Sequence, residues 1–316
     1  MRAPDFWRAG ARSPLPALLA PLGLLWRIGA ALKRATPTKV DAIVISIGNL
    51  VVGGAGKTPT ALALGARLRQ RGHAVHFITR GYGGREAGPL CVDPEGHTAA
   101  DVGDEPLLLA AVAPTWVARD RLVGARAAIE AGARVLILDD AHQNFRLHKD
   151  LSLLVVDAAY GFGNGRVLPA GPLRETVADG LSHTDGIVLI GKGTVATGTL
   201  PKVHATLAPA SDALRHRRVF AFAGIGRPEK FFATLAELQC DIAGTRAYPD
   251  HYAFTPDEIM RLAETASALG ALLVTTEKDQ MRLPPEARRM VTPLPVTLAF
   301  HDTTMLDHLL GKAGVT

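Results

Sequence analysis

Residues 48–60 read GNLVVGGAGKTPT. Within them, residues 51–58 have the spacing of a phosphate-binding loop, with a valine where its first glycine usually stands. Gly53, Gly54 and Gly56 carry no side chains, so the backbone N–H groups from Val51 and Val52 through Ala55 can turn inward onto a nucleotide β-phosphate. Lys57 supplies a point charge between the β- and γ-phosphates, and Thr58 supplies a hydroxyl for Mg²⁺. The helix starting there aims its positive end at the same anions, and Pro59 in its first turn forgoes an N–H that has no helical partner. This chemistry also needs a carboxylate at the end of another strand. Residues 134–140, RVLILDD, place Asp139 and Asp140 in that position, where parallel sheets bind ligands.

Nucleotide binding does not distinguish a kinase from a nucleotide switch. A kinase also needs an acceptor site and a group to take the acceptor's proton. Residues 103–110, GDEPLLLA, set Asp104 and Glu105 at a helix start. That pattern reads either as ordinary acidic capping or as a base facing the γ-phosphate. Residues 248–255, YPDHYAFT, hold Asp250 and His251 in a loop before a Thr255-capped helix. There the histidine is either incidental or a partner that orients another carboxylate.

These residues need a scaffold, and the pattern around them supplies one. Apolar runs at 41–47, 74–79, 115–118, 134–138, 151–156, 186–190, 219–223, 271–275 and 296–300 read as strands. They alternate with helical patterns at 58–71, 105–112, 121–130, 229–238 and 256–269, the signature of parallel α/β sheets. Continuously apolar strands imply sheets covered on both faces. Periodicity is lost near 191–218, where Gly, Thr and Pro accumulate, so a junction between two α/β units is expected there. The resulting division is an N-terminal helix over 1–35, a P-loop unit over 36–215 and a smaller α/β unit over 216–316. Of 316 residues 47% are hydrophobic, which excludes a disordered chain. The net charge of +5 falls short of a nucleic-acid-coating density. The two cysteines, Cys91 and Cys240, lack metal-ligand spacing and suit a reducing compartment.

The apolar stretch 14–32 is interrupted by Pro16, Pro21 and Arg27. Arg2, Arg8, Arg12, Lys33 and Arg34 flank it, with Trp7 and Trp26 as amphipathic anchors. This pattern suits a helix lying in a membrane interface; a helix docked on its own core, or a signal or spanning segment, are the other readings.

The chain resembles the tetraacyldisaccharide 4'-kinases, the lipid A 4'-kinase family of Gram-negative bacteria. The resemblance runs almost end to end through GNLVVGGAGKTPT, TRGYGG (79–84), GDEPLLLA, the LDD pair, FGNGRVLPAGPLRE (162–175), FAGIGRPEKFF (222–232), YPDHYAFT and VTTEKDQMRL (274–283). It implies two α/β/α domains with a P-loop NTPase-like first domain, an active-site cleft between them, and a membrane-meeting N-terminal helix. It implies ATP and Mg²⁺ as cofactors and a lipid A precursor disaccharide as substrate. The expected location is peripheral, at the cytoplasmic face of the inner membrane, on an anionic lipid surface. No nucleic acid and no obligate protein partner is expected. Residue by residue, Lys57 and Thr58 are the loop lysine and the metal-binding threonine. Asp104 is the catalytic base and His251 its partner. Asp139, Asp140 and Glu175 belong to the metal and phosphate shell, while Arg80, Arg174 and Gln143 meet phosphate or substrate. One departure stands out: the family follows its paired aspartates with Gly, an apolar residue and Gln, whereas this chain has Ala141, His142 and Gln143. If that glycine position needs a positive φ, Ala141 is strained by about 1 kcal/mol.

The expected reaction is transfer of the γ-phosphoryl group of ATP to the 4'-hydroxyl of a tetraacyldisaccharide 1-phosphate. A membrane-associated P-loop ATPase switch of the partitioning or targeting type is the competing reading. A soluble small-molecule kinase would leave the Trp7–Trp26 region without a task.

Overall fold

The computed structural model describes residues 4–31 and 36–315. The chain runs α1 (Leu15–Ala31), β1 (Ile43–Gly48), α2 (Lys57–Gln70), β2 (Val75–Thr79), β3 (Leu90–Cys91), α3 (Ala99–Val102), α4 (Asp104–Ala110), β4 (Thr115–Val117), α5 (Arg121–Glu130), β5 (Val135–Asp139), β6 (Leu151–Asp157), α6 (Val177–Leu181) and β7 (Gly186–Ile190). It continues through β8 (Lys202–Pro209), β9 (Arg218–Ala223), α7 (Pro228–Glu237), β10 (Asp241–Ala247), α8 (Pro256–Ala268), β11 (Leu272–Thr276), α9 (Glu277–Arg282), β12 (Thr292–Leu294), β13 (Val296–Phe300) and α10 (Thr304–Lys312).

The strands form two sheets. The larger has nine strands in the order β13-β8-β7-β6-β1-β5-β2-β4-β3, and the smaller has four in the order β10-β9-β11-β12. Pairing is parallel throughout except at the two edges of the larger sheet, β13–β8 and β3–β4. Strands β1 and β5 through β7 are buried along nearly their whole length because helices cover both sheet faces. Ile45, Ile47, Leu64, Leu68, Phe77 and Ile137 fill one face, while Val44, Ile78, Leu136, Leu138 and Ala125 of α5 fill the other. Two further clusters cover the smaller sheet. Phe220, Phe222, Phe254, Ile259 and Leu262 form one, and Val219, Phe231, Leu235 and Val274 form the other.

The expected division at residue 216 needs one correction. Strand β13 leaves the smaller sheet and pairs antiparallel with β8, and α10 buries Leu306, Leu309 and Leu310 in the core of the larger sheet. The larger sheet thus takes back the last elements of the chain, because its β8 edge would otherwise stand unpaired.

Helix α1 packs on the segment around Val167 through Gly23, and Trp26 Nε1 donates to Arg174 O at 2.8 Å. Its outer face is bare: Leu18 is 71% exposed, with Leu15 and Leu22 also open. Among the described residues no helix is long and apolar enough to cross a membrane. Of the basic flanks, Arg2, Lys33 and Arg34 lie outside the described residues.

Candidate active site

Strand β1 lies between β5 and β6, so the loop after it opens at the C-terminal edge near the middle of the sheet. The loop turns into α2 through Gly56, whose φ of 93° suits glycine, and whose missing Cβ leaves room for Ile190. Lys57 is buried at the first position of α2; its Nζ donates to Asn49 Oδ1 at 3.2 Å and lies 3.8 Å from Asp140 Oδ1. Thr58 Oγ1 donates to Asp139 Oδ2 at 2.9 Å. Asp139 is 1% exposed at the end of β5, and its second oxygen, Oδ1, has no hydrogen-bond partner. Burial raises its pKa, and the nearby carboxylate of Glu105 adds to the rise.

Asp140 has a left-handed backbone, φ 51°, and its carboxylate grips Arg174 with two bonds of 2.9 and 3.2 Å. Burial would raise its pKa, but Lys57 and Arg174 outweigh that and hold it at about 2. The strain expected at Ala141 is therefore misplaced. Asp140 takes the positive φ, and Ala141 is a buried residue whose N–H donates to Ile47 O. His142 packs against Gly48, where an added Cβ would sit 2.5 Å from His142 Cβ. Glu175 meets neither Thr58 nor Asp139 by hydrogen bond. Its oxygens accept from Gln143 Nε2 at 2.8 Å and face His183 Nε2 at 3.0 Å. Gln143 also donates to Asn49 O, which ties that pair to the loop. Arg80 is exposed on the cleft wall.

A second cluster faces this one. Asp104, 2% exposed, begins α4 after Gly103 and accepts from the Glu105 N–H. Its Oδ2 is approached by His251 Nδ1 at 3.4 Å and Arg282 Nε at 3.1 Å, without an aligned hydrogen bond. Both partners come from the smaller sheet. His251 follows β10 in a left-handed conformation, φ 56°, and stacks on Tyr82 at 4.9 Å. Holding a non-glycine residue there costs on the order of 1 kcal/mol, a strain that clusters at functional positions. Arg282 at the end of α9 also donates to Gly224 O at 2.9 Å and Asp279 Oδ1 at 2.6 Å, so its fork is fixed before it meets Asp104. Burial alone would raise the pKa of Asp104, but His251, Lys278 and Arg282 together hold it down at about 2. Lys278 in turn pairs with Glu105 at 2.8 Å.

The two sheets also meet at the loop itself. Arg227 donates to Gly54 O and pairs with Asp157 at 2.7 Å, and Lys230 pairs with the same carboxylate. The cleft between them holds about 1510 Å³. Its wall includes the loop from Val52 to Thr58, Asp140, Gln143, Arg174, Glu175, His251, Lys278 and, from α1, Leu24, Leu25 and Trp26.

The sequence reading thus brought together Lys57, Thr58, Asp139 and Asp140, and it matched Asp104 to His251. It missed Arg282, Lys278, Arg227 and Lys230. Their signal was available, since the first two follow β11 and the others follow β9 at the C-terminal ends of parallel strands, where ligand-handling residues gather.

Comparison with known proteins points to one family. A family model described as tetraacyldisaccharide-1-P 4'-kinase matches residues 15–314. A tetraacyldisaccharide 4'-kinase of Rhodospirillum centenum is 53% identical over 98% of this chain and 96% of its own length. One of Paramagnetospirillum magneticum is 48% identical over 100% and 99%. The crystal structure of Aquifex aeolicus LpxK, an "apo" form in complex with ATP, is similar with a TM-score of 0.75. It is 27% identical, and the match covers 95% of this chain and 99% of that one.

Proposed function

The chain belongs to the tetraacyldisaccharide 4'-kinase family and acts as an ATP-dependent kinase of a lipid A precursor; on that premise we propose how its cleft carries out the transfer. The observation that carries the reading is the meeting of Asp104 with His251 and Arg282 directly behind the cleft wall, where His251 lines the same cleft as Lys57 and Thr58. Its relatives are named as kinases, which sets the ATPase-switch reading aside.

The loop amides around Gly53, Gly54 and Gly56 hold the β-phosphate, and Lys57 stabilises charge as it moves toward the leaving oxygen. The acceptor 4'-hydroxyl sits against Asp104. Its oxygen forms the new bond to the γ-phosphorus as the bond to the β–γ bridging oxygen breaks, ADP keeps that electron pair, and the hydroxyl proton passes to the Asp104 carboxylate. A carboxylate held near 2 is ionised throughout the physiological range, so it orients the hydroxyl and takes the proton late. His251 and Arg282 position that carboxylate. Arg174 and Asp140 flank the phosphate path, with Arg80 on its wall.

The unpartnered, buried Oδ1 of Asp139 beside the Thr58 hydroxyl fits a hard cation with oxygen ligands. These two residues would hold Mg²⁺, which supplies charge neutralisation to the phosphates.

The bare leucines of α1 and the basic surplus support a place at the cytoplasmic face of the inner membrane, with the helix lying in an anionic interface. Leu24, Leu25 and Trp26 reach from that helix into the cleft, which gives acyl chains a continuous apolar path. The larger unit, 36–215 with the returning residues from 296 on, and the smaller one, 216–295, then close on the substrate. The direct test is transfer of labelled γ-phosphate from ATP to a tetraacyldisaccharide 1-phosphate presented in anionic vesicles. Labelled lipid is expected; intact ATP binding with no labelled lipid would overturn the reading.

A further inference from the structure

Beside the phosphate-handling groups, two imidazoles and a carboxylate come together. His142 follows β5, Glu175 precedes α6 and His183 follows it, and one ligand atom of each lies within 4.8 Å of the others. His142 is fully buried, and its Nε2 lies 3.1 Å from Gly180 O. A carbonyl only accepts, so Nε2 carries the proton and the lone pair is left on Nδ1, which is buried and has no partner. His183 repeats the pattern. Its Nε2 faces Glu175 Oε2 at 3.0 Å, while its buried Nδ1 has no partner. The two rings stack 4.3 Å apart at 34°, and Phe145 packs edge-on against His183.

Buried polar atoms are normally satisfied, and two unpartnered imidazole nitrogens on stacked rings ask for an explanation. Lone pairs do not satisfy each other, whereas a bound cation takes them as ligands. Histidines that bind metals characteristically donate their other N–H to a carbonyl or carboxylate, as His142 Nε2 does to Gly180 O; His183 turns its Nε2 toward Glu175, the nitrogen placed to share an ion with that carboxylate. We propose that His142, Glu175 and His183 form a second cation site, separate from the one at Thr58 and Asp139 and selective for Zn²⁺ over Mg²⁺. Two nitrogens and one carboxylate suit a borderline cation in a small coordination shell, whereas Mg²⁺ demands oxygen ligands. The site is also ready to bind. His142 is fully buried with its Nε2 committed to Gly180 O, so its unpartnered Nδ1 is open to a cation. Lys149 opposes the incoming charge, since its Nζ donates to His142 O at 2.6 Å, and Glu175 offsets it. An ion there would tie the segment holding Arg174, and through it Asp140, to the end of β5. The proposal does not depend on which acceptor the kinase uses.

Co²⁺ serves as the spectroscopic probe, added to the full-length protein in excess Mg²⁺ so that the oxygen-ligand site is filled. One Co²⁺ per chain should be retained on dialysis, with visible bands of nitrogen and oxygen ligation. His142→Leu and His183→Gln should each lower Co²⁺ affinity by about tenfold or more, while ATP binding reports an intact fold. Should His142→Leu fail to fold, the partly exposed His183 position decides the matter. Displacement of Co²⁺ by Mg²⁺, or retention equal to the unmodified protein in the folded variants, would overturn the assignment.

Discussion

At the nucleotide end of the cleft, Lys57 and Thr58 reach partners 8 and 81 residues away, all carried by β1, β5 and their loops in one sheet. At the acceptor end, Asp104 and Glu105 on α4 meet His251, Lys278 and Arg282, which arrive from the smaller sheet; the Lys278–Glu105 pair spans 173 residues. The first end is assembled from β1, β5, the loop and α2 of the larger sheet alone, so it exists whenever that sheet is folded. The second is complete only while the two sheets are in contact. Binding of ATP and presentation of the acceptor base are therefore separable properties of this molecule.

Substitution at the two ends should divide along that line. Lys57→Ala is expected to cause the largest loss, about 10³-fold in kcat/KM with weakened ATP binding, because it removes charge stabilisation from the phosphates themselves. Asp104→Asn should lower kcat about 10²- to 10³-fold while the KM for ATP stays close to normal. Steady-state kinetics with varied ATP reads both, and a matching rise in the KM for ATP in Asp104→Asn would show the ends to be one unit. His251→Gln comes next. It leaves Arg282 in place and loosens only the aim of the carboxylate, so kcat should fall by up to about 10²-fold.

The smallest effect is on stability. The pKa of Asp104 is depressed from 3.8 to about 2 in the folded protein, so its contribution is complete above the unfolded value and is lost as pH falls toward the folded one. Relative to Asp104→Asn, the wild type should keep a constant advantage from pH 7 to 5 and lose about 1 kcal/mol of it by pH 3. Thermal denaturation of both proteins across that range measures the difference. An advantage that grows on acidification would contradict the ion pairs assigned to Asp104.

What could be read from residues follows the same division. The loop, α2 and β5 were legible because their chemistry is local: glycines, a lysine and an apolar run ending in two aspartates lie within single elements. Strands β1, β5, β6 and β7 were legible because burial on both faces makes them continuously apolar. Strands β8, β10 and β12 were not. β10 and β12 are edge strands, while β8 alternates exposed Lys202 and His204 with buried Val203 and Ala205; one polar side and a proline in β12 blur their period. The role of Arg282 was hidden for another reason. In sequence it is one basic residue of a polar helix, and only the approach of α9 to α4 gives it a carboxylate. At Ala141 the family pattern pointed to strain that Asp140 takes instead.

The return of β13 to β8 means that the smaller sheet is held by two tethers rather than one. The chain leaves between Pro209 and Arg218 and comes back across Pro295 alone, and Ala210 N donates to Pro295 O at 2.9 Å where the two crossings pass. A unit pinned at two adjacent points swings like a door on its hinge, about one axis, instead of tumbling as a bead on a string. During synthesis the same topology leaves the nine-stranded sheet without its β13 edge until the whole smaller sheet has emerged from the ribosome. The edge of the larger sheet is closed only after the unit that swings against it has been made.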